Sequence, residues 1–62
     1  MPTLPNDPIE DLQAHVRDLV LERQRLREIG AAAADLDRNR RAIVEANQEL
    51  SLALVARYRR AA

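Results

Sequence analysis

Residues 7–36 read DPIEDLQAHVRDLVLERQRLREIGAAAADL, and the reading of this stretch decides the fold. Asp7-Pro8-Ile9-Glu10 opens a helix: Asp7 caps it, Pro8 stands where its missing N–H costs nothing, and Glu10 takes the third helical position of a capping box. Leu12, Leu19, Leu26 and Ala33 follow at seven-residue spacing, flanked by Ile9 and Val16. From Ile9 to Ala62 the chain has no proline and a single glycine, Gly30, and good helix formers dominate. Helix is therefore expected throughout that span.

Beyond Gly30 the seven-residue spacing continues in Ile29, Leu36, Ile43 and Leu50, joined by Leu54. One frame accommodates both series. Its first row is Leu12, Leu19, Leu26, Ala33, Arg40, Asn47 and Leu54; its second is His15, Glu22, Ile29, Leu36, Ile43, Leu50 and Arg57. The polar members Arg40 and Asn47 are of the kind that sets register or oligomer state at some cost in stability. The candidate contact residues are Leu12, Leu19, Leu26, Ile29, Leu36, Ile43, Leu50 and Leu54.

Gly30 poses the choice between one long helix and two. Glycine is the favoured residue just past a helix end, although the Ala31–Ala34 run that follows is strongly helix-forming. Acidic residues precede arginines twice along the chain, as two helix dipoles would each favour. Residues 1–22 carry five acids and one arginine, while Arg57, Arg59 and Arg60 crowd the other end, so an antiparallel arrangement brings opposite charges together. A turn near Ala34–Asp37 pairs Leu26 with Ile43 and Leu19 with Leu50. A turn at Gly30 pairs Leu19 with Ile43 and Leu12 with Leu50 equally well. The expectation is an all-α, antiparallel two-helix hairpin of coiled-coil type over residues 8–62, with its turn within 30–38 and residues 1–7 as an extended leader. Assembly of such hairpins into a helical bundle is expected; the alternative is one long helix in a coiled-coil dimer.

A chain of 62 residues rarely builds a self-sufficient core, and the usual staples are missing: there is no cysteine, one histidine and one aromatic residue, Tyr58. Val20, Leu21, Val44, Leu52 and Val55 lie off the heptad rows, where a single coiled-coil stripe has no use for them. Together these features point to a partner, a second copy or a larger protein. Ten arginines balance ten acids, which argues against a general polyanion binder. No apolar run approaches a membrane span and no signal-peptide pattern opens the chain, so a cytoplasmic location without membrane contact is expected.

The residues that carry chemistry elsewhere lack companions here. His15 has no second ligand or nucleophile near it in sequence; Asp11 and Asp18 are its helical neighbours. Asp35 and Asp37, two apart on a helix, point to different faces, and Glu45 and Glu49 share a face without a basic or metal-binding partner. No enzyme activity, metal, cofactor or small-molecule substrate is expected. The sharpest competing signal is the pair of arginine clusters, Arg38, Arg40 and Arg41 with Arg57, Arg59 and Arg60, beside Tyr58. Arginine grips phosphate through two parallel hydrogen bonds, and tyrosine stacks on bases.

In size and expected architecture the chain resembles the plasmid-copy-number RNA-binding hairpins, a resemblance of fold that implies RNA binding and carries over no motif. Asn47-Gln48-Glu49-Leu50-Ser51 is similar to the Ser-Gln-Glu-Leu-Asp signature of the helical-hairpin phosphatases that act on sporulation response regulators. Gln48, Glu49 and Leu50 match, whereas Ser51 stands where that signature has its acid. The sequence therefore leads to a small non-enzymatic interaction module, an adaptor, regulator or inhibitor, with an arginine-mediated nucleic-acid-binding hairpin as the alternative.

Overall fold

The structure, a computed structural model, describes residues 7–61. Its elements are two helices, α1 (Pro8–Glu28) and α2 (Ala33–Ala61), packed against one another as an antiparallel hairpin. Of the expected leader, Asp7 alone falls among the described residues, in extended conformation at φ −61° and ψ 125°. It caps α1 as expected, but through a different bond: its Oδ1 accepts from the Ile9 N–H at 2.9 Å, one residue earlier than a capping box would reach. Glu10 and Asp11 in the first turn and Arg25 and Arg27 in the last complement the helix dipole.

The turn lies at Gly30, not at Ala34–Asp37. The Ala31 N–H donates to the Leu26 carbonyl at 2.9 Å and the Gly30 N–H to the Arg27 carbonyl at 3.2 Å, the paired bonds of a Schellman motif. This closure needs a left-handed residue, and Gly30 supplies it at φ 66°. A Cβ at Gly30 would meet nothing within 4 Å, so only the backbone resists a substitution there. Gly30→Ala is expected to lower stability by about 1 kcal/mol, the left-handed penalty of an L-residue, in a urea melt. An unchanged midpoint would mean that the turn relaxes to another conformation.

Each helix faces the other with its own seam. On α1 the inward residues are Ile9, Leu12, Val16, Leu19, Arg23 and Leu26; on α2 they are Leu36, Asn39, Ile43, Ala46, Leu50 and Ala53. Both follow the alternating three- and four-residue spacing of knobs-into-holes packing. The turn, an Asn39–Leu19 hydrogen bond and an Arg57–Asp7 ion pair at the open end set the register. Leu26 stands level with Leu36, Leu19 with Ile43, Leu12 with Leu50 and Ile9 with Ala53.

These two seams do not share the single frame read from the sequence. Leu12, Leu19 and Leu26 pair with the row of Ile9 and Val16, and the row of His15 and Glu22 is exposed. Leu36, Ile43 and Leu50 pair with Asn39, Ala46 and Ala53; Arg40 and Asn47 are exposed. At about 100° per residue, a helix running straight through Gly30 would carry the two seams to opposite faces, about 180° apart. One continuous coiled-coil stripe is thereby excluded, and folding back at Gly30 brings both seams to one interface.

Candidate functional site

Two helices alone enclose little. The buried apolar residues are Ile9 (7% exposed) and Ala46 (3%), and among the described residues no large side chain is fully buried. Of the eight sequence-derived contact residues, Leu12, Leu19, Leu26, Leu36, Ile43, Leu50 and Leu54 are half-buried, whereas Ile29, beside the turn, is 70% exposed. Ile29 caps α1 and stands in the row of His15 and Glu22, which α1 turns to solvent. Most of the heptad aliphatics therefore pack within the hairpin, and the surface open to a partner is a different one.

The apolar residues left open are the off-seam aliphatics on the outer faces of the two helices. Val20, Leu21, Val44, Leu52 and Val55 are all exposed, with Leu52 at 70%, and Tyr58 joins them at 76%. On α2, Val44, Leu52, Val55 and Tyr58 fall within an arc of about 120° on the side away from α1, wide enough for the buried face of a helix. The polar Gln48 and Ser51 share this arc. Gly30 contributes indirectly: by turning the chain where it does, it commits Leu36, Ile43 and Leu50 to the hairpin and leaves this second stripe bare.

Asn39 is the polar residue that sequence reading missed. It is 5% exposed, and its Nδ2 donates to the Leu19 carbonyl at 3.0 Å across the hairpin, while its Oδ1 is buried without a hydrogen-bond partner. The half-buried Arg23 continues this polar layer on α1. A shallow groove of about 250 Å³ opens beside it between Leu19, Glu22, Leu26, Asp35, Arg38 and Ala42. Arg40 and Asn47, the polar seam residues expected from the sequence, stand instead on exposed faces. The signal that would have found Asn39 is its spacing of three from Leu36 and four from Ile43.

The six candidate nucleic-acid arginines do not form one patch. Arg38 lies 4.0 Å from Asp35, and Asp37 pairs with both Arg40 (3.2 Å) and Arg41 (3.0 Å), within one turn of the helix in each case. Arg57 is paired with Asp7 across the open end. Arg59 and Arg60 make no ion pair among the described residues. About 28 Å of helix separates Arg38 from Arg57. These exposed pairs add little stability, but they do lower the positive potential available to a phosphate.

No known protein family, curated protein or solved structure matches this chain. Site chemistry is correspondingly sparse. His15, Glu45 and Glu49 are exposed, and among the described residues no three His, Cys, Asp or Glu side chains gather as a metal ion would require. Of the residues matching the phosphatase signature, Gln48 and Glu49 face solvent while Leu50 points into the seam.

One carboxylate is perturbed. The Arg57 guanidinium hydrogen-bonded to Asp7, reinforced by the Ile9 N–H, holds its carboxyl below the ordinary value of 3.8. A carboxyl depressed in the folded state stabilises that state above its unfolded pKa, and the contribution fades as pH falls through the folded value. Asp7→Asn keeps a capping oxygen and loses the charge. It is expected to lower Tm at pH 7 and to narrow the gap between wild type and variant well below pH 3.8. A gap of equal size at both pH values would show that the ion pair contributes nothing.

Proposed function

We propose that this chain is a small non-enzymatic helical module that works by protein–protein association, as an adaptor, regulator or inhibitor. The observation that carries this reading is the set of exposed aliphatics on faces the hairpin does not use. Scattered exposed apolar residues are ordinary on any protein, but here Val44, Leu52, Val55 and Tyr58 share one helix face in a chain with almost no interior. Among the described residues no helix is long and apolar enough to cross a membrane, which together with the lack of cysteine supports work in the cytoplasm. The test is a photo-crosslinking residue placed at position 52 in the full chain, expressed in its native cell. Crosslinks to protein, its own kind or another, are expected. Crosslinks confined to nucleic acid, or none at all, would overturn the reading.

Nucleic-acid binding is the second reading, favoured by Arg59 and Arg60, unpaired among the described residues, beside the exposed Tyr58. Binding of this kind would weaken steeply with added salt. No detectable binding to RNA or DNA at low salt would remove it.

A further inference from the structure

We infer that the exposed stripe on α2 is covered by α2 of a second copy of this chain, antiparallel across a two-fold axis near Ser51 and Leu52. The inference rests on the association reading above and names its partner. The hairpin register runs the last two turns of α2, beyond Leu54, past the first turn of α1, because α1 has 21 residues and α2 has 29; there only the inner side, at Ala56 and Arg57, meets the Asp7–Ile9 start of α1. This overhang carries Val55 and Tyr58, and Val44 and Leu52 continue its apolar face back along the helix.

Charge selects the occupant. Among the described residues, α2 has four charged side chains without an ion pair: Glu45, Glu49, Arg59 and Arg60. The two acids lie on one side of Ser51–Leu52 and the two arginines on the other. A parallel pairing would set like against like. An antiparallel two-fold pairing sets residues equidistant from the axis against each other, so each contact occurs twice. It brings Glu45 of one copy within a turn of Arg59 of the other, and the Val44 turn beside the Tyr58 turn, with the Leu52 side chains meeting at the axis.

The surface area agrees. The chain exposes 5401 Å², whereas a compact monomer of its mass, 7.0 kDa, exposes about 4,000 Å². Discounting the first six residues at their largest extended-chain area, about 950 Å², leaves roughly 4,450 Å² against about 3,750 Å² for a compact monomer of the remaining mass, an excess of roughly 700 Å². A stable interface takes about 800 Å² from each partner.

Sedimentation equilibrium of the full chain, at about physiological ionic strength, tests the assignment. A dimer is expected for the wild type. Leu52→Glu should weaken it by about 30-fold or more, with helicity unchanged because Leu52 is 70% exposed in the hairpin. Glu45→Arg should also weaken it, and adding Arg59→Glu should restore it. That rescue carries the test if Leu52→Glu disturbs folding. A wild type that stays monomeric, or a dimer indifferent to all three variants, would overturn the inference. A monomer whose position-52 crosslinker captures a different protein would refute self-pairing and leave the association reading standing; a monomer that captures no protein would refute both.

Discussion

Leu50→Asp is expected to abolish cooperative folding at room temperature, with loss of most of the helical circular-dichroism signal. Leu50 is half-buried in the α2 seam, level with Leu12 in α1. Its replacement removes about 1–1.5 kcal/mol of apolar burial and sets a carboxylate against an aliphatic row, for a combined loss of about 3 kcal/mol. A chain of this length has only about 3–9 kcal/mol of stability to lose. The helices do not survive separately, because isolated helices of this size are marginal in water and draw their stability from packing. Leu21→Asp is the matched control: Leu21 is 56% exposed on the far side of α1, and its change should stay within about 0.5 kcal/mol. Both are read at one protein concentration, since self-association would raise apparent stability with concentration. If Leu50→Asp melts as the wild type does, the α2 seam is misassigned.

Asn39→Leu is expected to act in the opposite direction and raise Tm by about 5–10 °C. The native amide makes one cross-helix bond, from Nδ2 to the Leu19 carbonyl, and leaves Oδ1 buried and unsatisfied. The bond contributes about 1 kcal/mol, while an orphaned buried acceptor costs about 1–3 kcal/mol. Leucine removes both and adds apolar burial, for a net gain of about 1–2 kcal/mol; in a domain of this size each kcal/mol moves Tm by about 4–8 °C. The same change should loosen the register. Asn39 is the polar seam residue whose bond ties one particular turn of α2 to Leu19, and a seam without that bond slides more easily. Broadened amide resonances in a more thermostable variant are the expected signature. A fall in Tm would show that the Leu19 bond outweighs the orphaned oxygen.

Much of this arrangement was legible in residue order alone. The cap at Asp7, the proline-free run after Pro8 and the leucine spacing specify helix through local, short-range physics. The surplus aliphatics Val20, Leu21, Val44, Leu52 and Val55 were recognisable as lying off the seam, and all five are exposed in the folded chain. The opposite charges at the two ends meet in the Asp7–Arg57 pair. What residue order left open was which neighbouring row completes each seam. A leucine series fixes one edge of a stripe, and the row three ahead competes with the row four ahead. On α2 the completing residues are Asn39, Ala46 and Ala53, too small or too polar to announce themselves beside Leu54.

The helical hairpin thus follows from the sequence through capping, propensity and seven-residue spacing, each a property of residues near one another in the chain. Tertiary structure alone decided the rest. It chose Gly30 for the turn, where a left-handed glycine closes α1 and lets the chain fold back with the two seams facing each other. It also separated the aliphatics into those that hold the hairpin and those on the outer face of α2, a distinction that depends on which helix stands opposite.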